Sequence, residues 1–100
     1  MDALAYLKAC IDQVLRMKGQ DLILKVGAVP RTRVGRSVIA MELEPVSEET
    51  TRGMIKGLLN PKQSDWLEKN QSVDFAFSLP GSSQRFRGNF FLQQGTYSAV

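Results

Sequence analysis

The residues with the best claim to chemistry in this chain are Arg85 and Arg87, which flank Phe86. On a strand, residues two apart project to the same side. The two guanidinium groups then form a pair with Asn89 next in line, while Phe86 points the other way, into a core. Two fixed guanidinium forks suit a phosphate or a carboxylate cluster, because each can hold it through two parallel hydrogen bonds. The ordinary alternative is a solvated strand face whose arginines pair with Asp74 or with a glutamate across the sheet, and residue types alone lean that way. A second basic group, Arg31, Arg33 and Arg36, lies just after Pro30. It can meet an acidic surface or a nucleic acid, but it reads first as exposed charge that keeps short edge strands from pairing with other chains. Trp66 is expected in the core rather than as a partner anchor. Cys10 falls on a helical stripe and reads as a small buried hydrophobe.

Other chemistries are excluded by what is missing. There is no histidine, hence neither the commonest general base nor the commonest metal ligand. No phosphate-cradling G-x-x-x-x-G-K-[ST] occurs, and no G-x-G-x-x-G follows a strand. Serine, threonine and the single cysteine have no base to activate them. The adjoining Glu48 and Glu49 fit the first turn of a helix better than a catalytic pair. No catalytic residue, metal site or cofactor is therefore assigned within these residues. With one cysteine no internal disulfide forms, and Met1-Asp2-Ala3-Leu4 does not open a signal peptide. No apolar run approaches the roughly 20 residues that cross a bilayer, so a cytoplasmic address is expected.

The elements that must position the arginines follow from periodicity. The chain has 100 residues, 43% hydrophobic and 23% charged, which predicts one ordinary globular domain over residues 1–100. Leu4, Leu7, Ile11, Val14 and Leu15 mark an amphipathic helix over 3–18, capped by Asp2 and stopped by Gly19. Residues 21–26, 31–34 and 37–41 read as a meander of three short antiparallel strands, broken at Gly27-Ala28-Val29-Pro30 and at Gly35-Arg36. Ser47 caps a second helix, buried through Met54, Ile55, Leu58 and Leu59, whose Gly53 and Gly57 permit close approach of another backbone. Asn60-Pro61 stops it and starts a third helix, anchored by Trp66 and Leu67. Ser72–Leu79 alternates with Val73, Phe75, Phe77 and Leu79 on one side. Pro80-Gly81-Ser82-Ser83 reads as a hairpin connection into Gln84–Gln93, and Gly95 as a turn into a last strand from Thr96. The class is α+β: a curved antiparallel sheet covered by helices on one face.

Two stretches carry a resemblance. Asp21-Leu22-Ile23-Leu24-Lys25-Val26-Gly27-Ala28-Val29-Pro30-Arg31-Thr32-Arg33-Val34 is similar to a signature of the secretion-motor ATPases, matching at Asp21, Leu22, Leu24, Gly27, Pro30, Arg33 and Val34. Asp74–Gly81 followed by Arg85-Phe86-Arg87-Gly88-Asn89-Phe90-Phe91 resembles the family's D-F-S-F, turn, R-F-R-V-N-x-F. Both blocks occur in order and at the right separation, and the helix with Pro61-Lys62-Gln63 fits between them. The family's histidine is replaced by Ile23, and its V-D-G turn by Val34-Gly35-Arg36.

The resemblance implies a PAS-like N-terminal domain of a type IV pilus retraction ATPase of the PilT kind. A RecA-like ATPase domain with the phosphate loop would then lie beyond residue 100. ATP and Mg²⁺ would be cofactors of that parent, and none would be bound by these residues alone. Arg85 and Arg87 would reach the nucleotide phosphates, while Asp21, Gly27, Pro30, Arg33 and Asn89 would be motif residues. The implied partners are the ATPase cores of the same and neighbouring subunits of a homo-hexamer, and a platform protein of the inner membrane; no nucleic acid is expected. The address would be cytoplasmic, peripheral to the inner membrane. The alternatives are a stand-alone PAS-like sensor or interaction module, with a small ligand in the sheet concavity, and a basic nucleic-acid binder. The last is weakened because Phe86 and Phe90 fall opposite the arginines.

Overall fold

The computed structural model describes residues 2–79, 85–93 and 96–99, of which 93 and 96–99 are described by their backbone alone. The expected turns at Pro80–Ser83 and at Gly95 lie outside the described residues. Three helices and six strands follow one another as α1 (Ala3–Arg16), β1 (Leu22–Ile23), β2 (Arg31–Val34), β3 (Ser37–Ala40), α2 (Glu48–Leu58), α3 (Pro61–Asn70), β4 (Ser72–Phe77), β5 (Phe86–Gln93) and β6 (Thr96–Ala99). This is the expected α+β class. The strands form two antiparallel sheets, in the orders β1-β2-β3 and β4-β5-β6.

Local chemistry sets the helix ends. Asp2 accepts a hydrogen bond from the Leu4 N–H, and Ser47 from that of Thr50. Asn60 and Gln63 make a reciprocal capping box at the start of α3, with Pro61 at its first position. At the end of α1 the left-handed residue is Lys18, at φ 56°, rather than Gly19. Gly19 is required for a different reason. A Cβ there would sit 2.1 Å from Thr32 Oγ1. Thr32 is fully buried on β2, and its hydroxyl donates to the Asp21 carbonyl at 2.5 Å. The Gln20 N–H bonds the Arg33 carbonyl at 2.8 Å in the same place. The chain leaving α1 is thus laid directly on the middle strand of the first sheet.

β1 is shorter than residues 21–26 because the chain turns early. Gly27 takes φ 88°, the Ala28 N–H returns to the Lys25 carbonyl, and Gly27 and Ala28 exchange backbone hydrogen bonds with Val46. That exchange ties the first sheet to the start of α2.

One core joins the helices to the second sheet: Leu7, Cys10 and Ile11 of α1, Met54 of α2, Leu67 of α3, and Val73, Phe75 and Phe90 of β4 and β5. Phe75 and Phe90 stack at 5.0 Å, and Phe77 and Phe86 at 5.4 Å. Gly53 and Gly57 face side chains of α1 rather than a bare backbone, since a Cβ on Gly53 would lie 2.7 Å from Ala3 Cβ and one on Gly57 3.3 Å from the Leu4 side chain. One expectation is overturned: Trp66 is 59% exposed, and Leu67 alone anchors α3. Successive helical residues point about 100° apart, so this narrow helix buries one of the two, and β4 receives the leucine.

Gly19→Ala is expected to destabilise the chain by about 1–3 kcal/mol, the usual cost of overpacking, because the intruding methyl meets a hydroxyl already committed to Asp21. Urea unfolding measures it; an unchanged midpoint would show that α1 does not lie on β2 this closely.

Candidate functional site

Pairing of β4 with β5 decides which way the candidate residues face. Phe77 opposes Phe86, Ala76 opposes Arg87, Phe75 opposes Gly88 and Asp74 opposes Asn89. Because directly opposed residues share a face, the buried phenylalanines hold Arg87, Asn89, Asp74 and Ala76 together on the other side. Gly88 is needed for this arrangement: a Cβ there would stand 2.7 Å from the Phe75 ring, so the ring lies across the bare backbone of the neighbouring strand.

Arg85 and Arg87 are both exposed. Asp74, the carboxylate best placed to neutralise Arg87, accepts instead from Asn89 Nδ2 at 2.6 Å. Among the described residues, the ion pairs are Lys8–Asp12, Asp21–Arg33 and Glu48–Arg52, so neither arginine is paired there. The opposed Ala76 places only a methyl beside Arg87.

The two arginines stand at the lip of a cleft of about 400 Å³ between α1 and the second sheet. Its floor is apolar, with Ile11, Val14 and Leu15 on the helical side and Phe75, Phe77 and Phe86 on the sheet side; Gln20 and Asp21 join the arginines at the rim. Arg87, on the face of β5 opposite the aromatic floor, and Arg85, just before that strand, offer exposed guanidinium groups beside the cleft that can hold an anionic group. The lining of the cleft holds one carboxylate, Asp21, and, among the described residues, no serine, threonine, cysteine or lysine. Among the described residues no three potential metal ligands gather, and no helix is long and apolar enough to cross a membrane.

Of the remaining motif residues, Asp21, Gly27, Pro30 and Arg33 lie in or around the first sheet, and Asn89 lies on β5. Asp21 Oδ2 lies 3.6 Å from Arg33 Nη1 across β1 and β2. Both side chains are substantially exposed, so the pair contributes at most about 1 kcal/mol. Gly27 makes the left-handed turn, and buried Pro30 offers its carbonyl to the Met41 N–H at 2.9 Å. Asn89 serves the second sheet through Asp74. Asp21, Leu22 and Leu24 are the members of the first motif that also line the cleft.

Two contributors escaped the reading of the sequence. Leu15 belongs to the apolar stripe of α1 yet is 50% exposed, because it lies at the mouth of the cleft. Thr32 alternates with two arginines, and nothing local marks it as the fully buried polar residue of the first sheet; the glycine at 19 is the only trace of it in the sequence.

The other groups with chemical potential are quiet. Burial pushes the Cys10 thiol from its ordinary 9.0 up to about 12. Tyr6 is raised from 10.0 to about 12, chiefly by burial and then by the nearby Cys10 and Glu44 charges, and its hydroxyl donates to the Glu44 carbonyl at 2.5 Å. Both groups hold their protons more tightly in the folded chain, so their contribution to stability is complete below pH about 9 and is lost as pH rises toward about 12. Denaturant unfolding across that window should show the loss, with a shallower slope in Cys10→Ala. A flat profile would place both groups in contact with water, as would rapid alkylation of native Cys10 at pH 8.

Comparison with known proteins adds kinship to this geometry. No family model matches the chain. It is 32% identical over 82 residues to the type IV pilus ATPase PilU of Pseudomonas aeruginosa, which is 82% of this chain and 21% of PilU. Among solved structures it superimposes on the pilus retraction motor PilT with bound ADP at a TM-score of 0.78 and 28% identity, covering 89% of this chain and 26% of that one. The Legionella pneumophila ATPase DotB shares the fold at a TM-score of 0.77, with 13% identity, over 96% of this chain and 27% of its own. The chain thus spans about a fifth of PilU's length and about a quarter of the length of each solved chain.

Proposed function

Since the chain corresponds to the N-terminal domain of the PilT-type secretion-motor ATPases, we propose that it supplies the arginine side of a nucleotide cleft in a pilus retraction motor. The observation that carries this reading is the pair Arg85 and Arg87: both exposed, both beside the cleft, Arg87 turned outward by the strand register, and neither in an ion pair among the described residues. A cation pair of this kind stabilises charge on the phosphates of ATP and on the phosphoryl group in transfer. The relative PilT was solved with ADP bound, which agrees with a nucleotide as the anion.

In this reading the phosphate-cradling loop and the Mg²⁺ belong to a RecA-like ATPase core that follows residue 100. That core and its neighbours form a homo-hexameric ring, cytoplasmic and peripheral to the inner membrane, against a platform protein. The arginines engage only when the domains close on nucleotide, so hydrolysis changes the angle between domains and the ring does mechanical work.

The apolar floor of the cleft favours a second reading, a PAS-like ligand-binding module. Native mass spectrometry separates the two: a small molecule retained by the purified chain supports the module, and an empty chain supports the motor part.

The motor reading is tested by Arg85→Ala and Arg87→Ala in the full-length protein. Each is expected to lower ATP hydrolysis by about tenfold or more, with thermal unfolding little changed because both side chains are exposed. Wild-type hydrolysis in both variants would remove these arginines from the nucleotide cleft.

A further inference from the structure

Charge is divided unevenly along this chain. Residues 16–36 hold six basic side chains and one acidic one, a net +5, whereas the remaining residues hold seven basic and nine acidic ones, a net −2, which together make the chain's +3. All six basic residues of that segment, Arg16, Lys18, Lys25, Arg31, Arg33 and Arg36, are exposed. The first sheet is thus a basic module set on a mildly acidic remainder.

The placement of its arginines does not protect its edge. Arg31 and Arg33 stand on β2, the middle strand, and Arg36 stands in the turn. The edge strand β3 is Ser37-Val38-Ile39-Ala40, uncharged, with all four residues exposed; Val38 is 50% and Ile39 39% exposed. Charge meant to keep an edge from pairing belongs on the edge strand itself.

The pairing register shows which backbone groups are free. Val34 opposes Ser37 across the Gly35-Arg36 turn, and Thr32 opposes Ile39. In a hairpin closed by a two-residue turn the closing pair is hydrogen-bonded, and bonded pairs recur at every second residue. The bond from the Met41 N–H to the Pro30 carbonyl, 2.9 Å, continues the series. The N–H and C=O groups of Val38 and Ala40 therefore point away from β2, and among the described residues no further strand pairs with β3.

We propose that the free edge of β3 is a strand-addition site for an extended, acidic peptide segment of a partner protein. The backbone of such a segment completes the hydrogen bonds of Val38 and Ala40, as in other cases of strand addition. Its carboxylates meet Arg31 and Arg36, neither of which has a carboxylate at ion-pair distance among the described residues. Arg31 opposes Ala40 and Arg33 opposes Val38, so the face that carries Val38 and Ala40 at the edge has a row of guanidinium groups one strand behind it, and long side chains reach over small ones toward the added strand. An acidic and aliphatic alternation in the partner complements that row. A second copy of this chain does not, because edge-to-edge pairing brings two segments of net +5 together. A lipid surface leaves the free backbone groups without partners. This inference does not depend on the nucleotide reading, since it uses neither Arg85, Arg87 nor the cleft.

The test is titration of the isotopically labelled 100-residue chain with a blocked peptide of alternating glutamate and valine, about eight residues long so that it spans β3 with margin. The amide resonances of Val38 and Ala40 should shift, and affinity should fall by about threefold or more on raising salt from low to physiological. Val38→Pro removes one outward N–H and leaves the ladder to β2 intact; it should weaken binding about tenfold. Arg31→Gln combined with Arg36→Gln should weaken it by about fivefold. An N-methylated version of the peptide keeps the charge, cannot pair, and should not bind, a control that needs no mutation. The proposal is overturned if the peptide shifts nothing, if the N-methylated peptide binds equally well, or if a lysine–valine peptide binds as tightly. It is overturned in favour of a membrane surface if only phosphatidylglycerol vesicles bind, through the same arginines.

Discussion

Burial of Phe75 and Phe90 as a stacked pair is the constraint on which the rest of the second sheet depends. Side chains of a strand alternate with a period of two, so fixing one residue inward fixes the whole strand. With Phe86, Gly88 and Phe90 turned to the core, Arg87 and Asn89 have no other direction available. A slip of one residue would bury the Arg87 guanidinium and expose the aromatic set, two large costs with nothing to offset them. The same constraint explains the bare backbone at Gly88, where the Phe75 ring lies. Orientation of Arg87 is therefore a product of hydrophobic packing, with no salt bridge needed to hold it.

The first sheet rests on a different interaction. It is small, and β1 has only two residues, so its own ladder contributes little. It is held through its contacts with α1 and the start of α2: the buried Thr32 hydroxyl against the Asp21 carbonyl, the close approach at Gly19, and the backbone exchange of Gly27 and Ala28 with Val46. Thr32 is polar, fully buried and satisfied, which makes its position specific, because displacement would leave a desolvated hydroxyl without a partner. This anchorage leaves the outer strand and the basic side chains of the sheet free. The molecule thus presents two separate cationic features, one at the cleft and one around the first sheet, positioned by independent means.

Much of this was legible in the residues. The caps at Asp2, Ser47 and Asn60, the alternation of Ser72–Leu79 and the inward set of Phe86, Phe90 and Leu92 are local or strictly periodic signals, and the structure follows them. The antiparallel meander was readable for the same reason. Failures came where a residue's fate depends on elements distant in sequence. Trp66 and Leu67 look equally suited to a core, and only the docking of α3 on β4 chooses between them. Arg31 and Arg33 look like edge charges until the strand order puts β2 in the middle. Gly19 looks like a helix stop, and its structural role is to admit Thr32, thirteen residues along the chain.

What the sequence determined by itself is therefore the set of elements and the face each presents, because periodicity and capping act within a few residues. Its two motif blocks also carried the kinship with the pilus motors. Tertiary structure decided that the strands divide into two sheets, that a cleft opens between α1 and the second of them with Arg85 and Arg87 at its lip, and that β3 is left as an uncharged free edge. These features arise from the juxtaposition of surfaces far apart in the chain. Burial and steric exclusion, which decide between alternatives that residue types leave equal, exist only once those surfaces meet.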